Sequence, residues 1–243
     1  MKDRFQELLN NACNKIKIGI NDEQLAQFYS FYQLLLEWNG RMNLTAITDE
    51  RDVIYKHFID SIAVLKYVEF KENSAVIDVG CGAGFPGIPL KIMQPEIKHT
   101  LMDSVNKKLD FVREAASVLG LSDVSCIHGR AEDLGRDKEL RNSFDFCVSR
   151  AVSELAVLTE LCLPFIKKQS LFISYKGGSP EEELNKAEFA IKELGGKLEK
   201  VEKFVLPETD MERSFILIRS VEQTPQKYPR KAGIPKKNPV YEK

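Results

Sequence analysis

The chain has 243 residues, of which 43% are hydrophobic and 29% are charged. That composition excludes wholesale disorder, and a chain of this length buries enough surface to fold without disulfides or metal. Lysine and arginine number 35 against 36 aspartate and glutamate residues, so the whole chain is not a general polyanion binder. The five cysteines form no C-x-x-C pair, and no apolar run approaches the ~18 residues of a membrane span. We therefore expect a cytoplasmic protein with no bound metal and no membrane contact.

Residues 1–70 are predicted to form a helical extension. Apolar residues recur at helical spacing from Asp22, a good N-cap, to Trp38, and again over residues 50–68. A turn-rich connector, residues 39–45, separates the two helices. Amphipathicity of this kind mostly reflects core packing, so it assigns no chemistry to the extension.

Residues 71–222 alternate short apolar runs with helical stretches. The apolar runs are Ala75–Val79, Lys98–Met102, Val124–Ile127, Phe144–Val148 and Leu171–Tyr175, and the helical stretches are Pro86–Met93, Val105–Leu119, Glu154–Leu163 and Pro180–Leu194. This alternation predicts an α/β domain with a parallel sheet covered by helices on both faces. Lys200–Leu206 and Ser214–Val221 have no helix between them, so they are predicted to form an antiparallel hairpin at one sheet edge.

The last segment, residues 223–243, is basic and rich in proline. It holds four prolines and six lysine or arginine residues against a single acid, so the rest of the chain is net acidic. The prolines argue against a helix or central strand and keep an arm of this kind extended. A localised polyanion contact is predicted, with a solvated tail as the alternative. The candidate phosphate ligands are Lys227, Arg230, Lys231, Lys236 and Lys237.

The sharpest chemical signal is a glycine cluster in residues 78–84, which read Asp-x-Gly-x-Gly-x-Gly. The cluster follows a predicted buried strand and precedes a helix opened by Pro86, at the first strand-to-helix crossing of the α/β pattern. Glycines such as Gly80 and Gly82 supply backbone freedom there and let a ligand approach the main chain closely.

Two ligand classes compete for this cluster. Residues 82–87 satisfy the dinucleotide fingerprint G-x-G-x-x-G, and Asp103 follows about twenty residues later. The pattern of residues 78–84 instead resembles the first motif of class I S-adenosylmethionine-dependent methyltransferases, in which the later acid binds the adenosine ribose. The acid Asp78 suits the cationic ammonium of the methionine moiety and would repel a pyrophosphate. A methyltransferase is therefore favoured, and a dinucleotide-dependent oxidoreductase and a non-catalytic RNA-binding relative of the fold remain as alternatives.

Further candidates lie in the turns after the other strands, because ligands bind beyond the carboxyl ends of parallel strands. Ala131 and Glu132 are expected to line the adenine, although Glu132 and Asp103 could instead cap helices. His128 has no partner that would make it a base and is interpreted as a loop residue. Cys81 is interpreted as a small residue between glycines, with a reactive thiol as the alternative.

The turn after the fourth strand restricts the chemistry. It reads Val-Ser-Arg-Ala over residues 148–151, without the prolines typical of methyltransferases that act on exocyclic amines. No cysteine nucleophile with an acid partner suits carbon-5 methylation of a pyrimidine either. The site suits an acceptor that is already nucleophilic, such as guanine N7, and alignment alone can contribute ~7–11 kcal/mol. Arg150 is the candidate catalytic residue, since it can contact both cofactor and target nucleotide.

Several motifs carry a closer resemblance. They are Asn-Leu-Thr-Ala-Ile at 43–47, His-Phe-Ile-Asp-Ser at 57–61, the segment 78–90, and the shorter stretches 130–133, 149–151 and 228–235. Together they resemble the bacterial small-subunit ribosomal RNA guanine-N7 methyltransferases, the glucose-inhibited division protein B family, over essentially the whole chain.

The resemblance implies S-adenosylmethionine as cofactor and N7 methylation of a guanine in the 530 loop of 16S rRNA, within the small ribosomal subunit. Carried over by position, the cofactor residues are Gly80, Phe85, Ala131, Glu132 and Arg150, with Asp103 at the ribose and Asp78 and Gly82 in the same motif. The family often has Ser or Thr at position 81. The resemblance makes the tail a flexible basic RNA-binding arm, and we expect a monomer. His57 and Asp60 could face the cofactor cleft or only join the helical extension to the domain.

Overall fold

In the computed structural model, which describes residues 2–242, seven strands form a single sheet. The strands are β1 (Ala75–Val79), β2 (Lys98–Asp103), β3 (Val124–His128), β4 (Phe144–Arg150), β5 (Ile166–Gly177), β6 (Gly196–Val205) and β7 (Glu212–Ser220). Their order is β3-β2-β1-β4-β5-β7-β6. Strands β1 to β5 pair in parallel, whereas β7 is antiparallel to both of its neighbours.

Helices cover both faces of this sheet. They are α1 (Lys2–Lys15), α2 (Asp22–Asn39), α3 (Glu50–Val53), α4 (Asp60–Ile62), α5 (Gly87–Met93), α6 (Asn106–Val118), α7 (Ala131–Leu134), α8 (Leu155–Cys162), α9 (Glu181–Glu193) and α10 (Ile234–Lys237). A π-helical stretch, Ile54–Ile59, joins α3 to α4, and 3₁₀ turns follow at Ala63–Lys66 and Leu163–Phe165. None of the helices in residues 2–242 is long and apolar enough to cross a membrane.

The central strands are buried on both faces, which is why they read as continuous apolar runs. On β1, Val76 packs into the core beneath the N-terminal helices, whereas Ile77 and Val79 pack into a second core beneath α8 and α9. This alternation is the two-residue period of a strand. The fold class is therefore confirmed: an α/β sheet of the methyltransferase type, with an N-terminal helical extension and an antiparallel C-terminal hairpin.

The structure corrects several predicted boundaries. Asn21 rather than Asp22 caps α2, because its side chain accepts the backbone N–H of Gln24, whose own side chain accepts the N–H of Asn21. The second predicted helix is interrupted by the π-helical stretch. Strand β5 begins at Ile166, five residues earlier than the apolar run, with a register irregularity against β4.

The expectation of an extended, flexible C-terminal arm is wrong. Tyr228 and Val240 are buried in the second core, and the Arg141 guanidinium donates to the backbone carbonyls of Thr224 and Tyr228 at 2.6 and 2.9 Å. A one-turn helix, α10, forms despite Pro235, because proline is tolerated in the first turn of a helix. The segment bonds several of its backbone groups to the domain and buries apolar side chains against it, so it is docked rather than free.

Candidate active site

The turn after β1 requires glycine. Gly80 and Gly82 have φ values of +77° and +56°, in the left-handed region that side chains rarely adopt. A Cβ atom on Gly80 would lie 2.6 Å from Cγ2 of Val152. The backbone N–H groups of Gly80 and Cys81 both donate to the carbonyl of Met102, at 2.9 and 3.0 Å, which fixes the turn against the end of β2.

Asp78 is fully buried beneath this turn. Its Oδ2 accepts the backbone N–H of Gly87 at 2.9 Å and so fixes the start of α5, while Oδ1 has no hydrogen-bond partner among the described residues. Burial raises the pKa of this carboxyl to about 7.

Asp103, at the end of β2, joins two loops. Its Oδ2 accepts the backbone N–H of Gly82 at 2.9 Å, and its Oδ1 accepts that of Val105 at 2.8 Å. These bonds tie the glycine turn to the start of α6. Each carboxylate oxygen keeps a second acceptor position, so Asp103 can still receive two hydroxyl groups from a ligand.

A cavity of about 310 Å³ opens beyond the carboxyl ends of β1 to β4. Its walls come from the turns after these strands and include Gly80, Asp103, Ala131 and Glu132. The volume lies within the ~300–1,000 Å³ range of small-molecule sites. Four of the predicted cofactor residues therefore lie together, and a fifth, Gly82, is bonded to Asp103.

Glu132 lies in the cavity wall but caps no helix of its own. Its Oε1 accepts the backbone N–H of Gly233 at 2.9 Å, so Glu132 joins the cavity wall to the C-terminal segment, and its contact with the adenine stays a prediction. Ala131 beside it is buried at the start of α7.

Phe85 lies outside the cavity wall. Its ring is 6% exposed, stacks on the His57 imidazole with centroids 4.5 Å apart, and lies 5.2 Å from the Arg150 guanidinium carbon. The ring fills the space between the helical extension and the glycine turn. Its position therefore favours a packing role over direct contact with the cofactor. The His57 Nε2 lies 2.8 Å from the Thr45 hydroxyl, and burial lowers the pKa of His57 to about 3, so the imidazole is neutral.

Arg150 lines a second cavity, of about 370 Å³. The Arg150 Nη1 donates to Oδ2 of Asp60 at 2.8 Å, and the Arg213 Nε donates to Oδ1 of the same carboxylate at 3.1 Å. Asp60 therefore does join the helical extension to the domain, and it also lies in a cavity wall. Ala151, with φ +58°, lines both cavities and so marks where they meet.

Sequence reasoning missed most of this second cavity. The unpredicted lining residues include Lys56, Tyr175, Lys176 and Arg213. Lys176 lies at the end of β5, where the strand-end rule could have found it. Arg213 lies near the start of β7, and an antiparallel strand begins at the edge where its parallel neighbours end. The predicted antiparallel hairpin therefore already implied that residues at the start of its second strand lie at this edge of the sheet.

Two further expectations concern Cys81 and His128. The Cys81 side chain is buried, and burial raises the pKa of its thiol well above the ordinary value, so the reactive-thiol alternative is wrong. The exposed His128 contacts the Ser104 carbonyl through Nε2 at 3.1 Å, as a loop residue would. Within residues 2–242, no group of three or more His, Cys, Asp or Glu side chains is arranged to hold a metal ion.

The predicted phosphate ligands divide into two groups. Arg230 forms an ion pair with the fully buried Glu160 at 2.6 Å, and Lys227 forms one with Glu193 at 2.7 Å. The other three, Lys231, Lys236 and Lys237, are exposed. Arg230 is therefore occupied by a structural contact, and the three exposed lysines keep their side chains in solvent.

The sheet order and the glycine turn define the fold of class I S-adenosylmethionine-dependent methyltransferases. The classical dinucleotide order 3-2-1-4-5-6 has no antiparallel strand inserted next to β5. Solved structures with this fold include TrmN from Thermus thermophilus, 15% identical with a TM-score of 0.54, covering 69% of this chain and 53% of that one. Another is M. jannaschii TYW2 in complex with AdoMet, 17% identical with a TM-score of 0.51, covering 67% of this chain and 76% of that one.

The chain belongs to the GidB family, described as rRNA small subunit methyltransferase G, which matches residues 24–215. A relative of that name from Lachnoclostridium phytofermentans is 50% identical over 232 residues, 96% of each chain. One from Staphylococcus aureus is 49% identical over 237 residues, 98% of this chain and 99% of the other. A further structural neighbour, the [4+2]-cyclase SpnF, is 14% identical with a TM-score of 0.57, covering 82% of this chain and 96% of that one. The fold alone therefore does not specify the reaction.

Proposed function

We propose that this protein transfers the methyl group of S-adenosylmethionine to N7 of a guanine in the 530 loop of 16S rRNA. The observation that carries this proposal is the pair of cavities that meet at Ala151, one suited to the cofactor and one open for an acceptor. The names of the relatives favour RNA of the small ribosomal subunit as substrate. That substrate favours the cytoplasm as the place of action, and the monomeric state stays a prediction.

The first cavity fits the cofactor. Asp103 has two free acceptor positions for the ribose hydroxyls, Ala131 offers a small apolar wall to the adenine, and the backbone at Gly80 allows close approach of the methionine moiety. The Asp78 carboxyl, whose Oδ1 has no hydrogen-bond partner among the described residues, lies buried beneath the turn rather than in the cavity wall, and in its deprotonated form it would attract the ammonium. When bound, S-adenosylmethionine supplies an electrophilic methyl group on a cationic sulfur.

The second cavity supports an acceptor that needs no general base. His57 is neutral but has a pKa of about 3, and its Nε2 is engaged by Thr45. Both oxygens of Asp60 are paired with arginines. Guanine N7 has no proton to lose, so its lone pair forms the new N–C bond directly while the C–S electron pair returns to sulfur. The protein's contribution is then mainly alignment.

Arg150 is the proposed catalytic residue of this arrangement. Asp60 and the Phe85 ring hold its guanidinium in the wall of the second cavity, one residue before the shared Ala151. From there it can orient the acceptor nucleotide beside the cofactor. We expect Arg150→Ala to lower methyl transfer far more than RNA affinity.

The test is incubation of the protein with labelled S-adenosylmethionine and unmodified small subunits, followed by mass mapping of the methylated nucleotide. For the Arg150→Ala variant the matched control is Arg113→Ala, since Arg113 lies on α6 in an exposed ion pair with Asp110. Label on another atom or nucleotide would refute the proposed specificity. Absence of turnover on any ribosomal substrate would support a non-catalytic RNA-binding relative. Tight NADH binding without S-adenosylmethionine binding would favour the oxidoreductase.

A further inference from the structure

We propose that Asp60, together with Arg150, recognises the Watson–Crick edge of the target guanine and so determines the base specificity of the second cavity. This inference rests on the proposed N7 methylation. It assigns a specificity role to a carboxylate on the helical extension, far in sequence from the methyltransferase motifs.

The proposed reaction restricts how guanine can be recognised. N7 must face the methyl group, so no side chain can hold the base through the usual arginine contact to O6 and N7. The opposite edge remains available, and enzymes that act on extruded bases commonly read that edge. On guanine it presents the N1–H and N2–H donors beside the O6 acceptor. A complementary site needs two acceptor positions next to a donor.

Asp60 provides the acceptors. Of the residues described here that line the second cavity, it carries the single carboxylate. Its Oδ1 and Oδ2 each receive one guanidinium N–H, which leaves one acceptor position on each oxygen. The two arginines also orient the carboxylate and supply the countercharges without which its burial would be costly.

Arg150 provides the donor. Its Nη1 is bonded to Asp60 and lies 3.5 Å from the Lys56 carbonyl, whereas Nε and Nη2 make no hydrogen bond to any of residues 2–242. These free donors lie on the guanidinium that contacts Asp60 Oδ2, so a base bonded to Asp60 would have a donor beside it for O6. Adenine offers the reverse pattern, a donor at N6 and an acceptor at N1, and would leave Asp60 unmatched.

Adenine also has an N7, so discrimination must come from the edge that Asp60 contacts. This makes Asp60→Asn a specificity test. The asparagine amide can donate to N1 of adenine, whereas it leaves the N1–H of guanine facing a donor. Small subunits are reconstituted from 16S transcripts with guanine or adenine at the target position, and transfer from labelled S-adenosylmethionine is measured on both. We expect Asp60→Asn to lower the guanine-to-adenine ratio of transfer rates at least ~100-fold, in line with sites built to hydrogen-bond a polar group.

The controls separate specificity from structure. Asp145→Asn is matched, because Asp145 also receives two donors, Ala75 N–H and Lys167 Nζ, outside the cavity. It should leave the ratio unchanged, and neither variant should change S-adenosylmethionine affinity by calorimetry. An Asp60→Asn protein that loses both activities equally, so that the ratio stays as in the wild type, would overturn the inference.

A second measurement needs no variant. Inosine keeps N7 and O6 but lacks the N2 amine, so a 16S RNA with inosine at the target should be methylated by the wild type at least ~10-fold more slowly than one with guanine. Equal rates would overturn the recognition of N2 even if Asp60→Asn fails to fold. Absence of 7-methylguanosine with the wild type would refute the proposed function itself, whereas normal guanine methylation with an unmoved ratio would refute only the role of Asp60.

Discussion

The ion pair between Arg230 and Glu160 joins the C-terminal segment to α8, and breaking it tests how much this contact stabilises the protein. Glu160 is fully buried, and its carboxylate receives the Arg230 backbone N–H at 2.7 Å, Nε at 2.9 Å and Nη2 at 2.6 Å. Arg230→Met keeps the apolar stem and leaves the carboxylate without its countercharge. Breaking a buried pair costs about 3–5 kcal/mol. We expect about 3 kcal/mol, the lower end, because the Arg230 side chain is 27% exposed.

The assay is urea unfolding, followed by circular dichroism and by the fluorescence of Trp38, the single tryptophan of the chain. For a protein of this size the loss corresponds to about 6–12 °C in Tm. Lys231→Met is the control, since Lys231 is the exposed neighbour, and it should change the unfolding free energy by less than about 0.5 kcal/mol. Glu160→Leu combined with Arg230→Met should recover part of the loss, because the buried charge is then gone.

The result that would refute this reasoning is an Arg230→Met protein as stable as Lys231→Met. It would mean that Glu160 does not depend on the C-terminal segment and that residues 223–242 behave as the free arm predicted from sequence.

Three further predictions concern the cofactor turn, the exposed lysines and pH. Gly82→Val places a β-branched residue at φ +56° beside Asp103, so S-adenosylmethionine affinity should fall at least ~10-fold by calorimetry with an unchanged circular dichroism spectrum. Gly19→Val is its control, because a Cβ atom at either glycine has no neighbour within 4 Å. Unchanged S-adenosylmethionine affinity in Gly82→Val would contradict the assignment of the glycine turn to the cofactor. Changing Lys231, Lys236 and Lys237 together to glutamine should flatten the slope of log affinity against log salt for small-subunit binding by about 2–3 units. An unmoved slope would place the RNA contacts elsewhere. Burial holds the pKa of His57 and of His99 at about 3, below the ordinary 6.5. Between these values the unfolded chain binds more protons than the folded one, so the unfolding free energy should fall as pH drops from about 6.5 toward 3. His99→Gln should remove part of that slope in urea titrations, and an identical slope would show that His99 is not buried as a neutral group.

The sheet could be predicted because its parallel strands are buried on both faces, which writes them into the sequence as apolar runs between helices. The start of β5 could not. Its residues 167–169 are Lys-Lys-Gln and exposed, and they lie in the register irregularity between the Ile166–Phe144 and Leu171–Phe146 pairs, so no apolar run marks them as strand. The docking of residues 223–242 was also hidden, because a proline-rich basic composition does not show that Arg141 and Glu160 supply the missing partners.

The first cavity was largely predictable, because Gly80, Asp103 and Ala131 each follow a recognisable strand and parallel strands end at one edge. The second cavity was not, because its central contact joins Asp60 to Arg213, which is 153 residues later in the chain. No local pattern encodes such a pair. Phe85 was assigned to the cofactor by position in a motif, and the structure places it in packing between the extension and the turn.

The separation of 70 residues between Glu160 and Arg230 also affects the order in which the protein can mature during synthesis. Helix α8 and its neighbours leave the ribosome first, and they cannot bury Glu160 favourably until Arg230 has been made. The C-terminal segment therefore completes the domain as its last step. Chains that end before residue 230 keep an unneutralised carboxylate at the surface meant for docking, and they become substrates for chaperones and proteases. Termination before residue 230 is thus expected to remove the protein from the cell and not merely to shorten it.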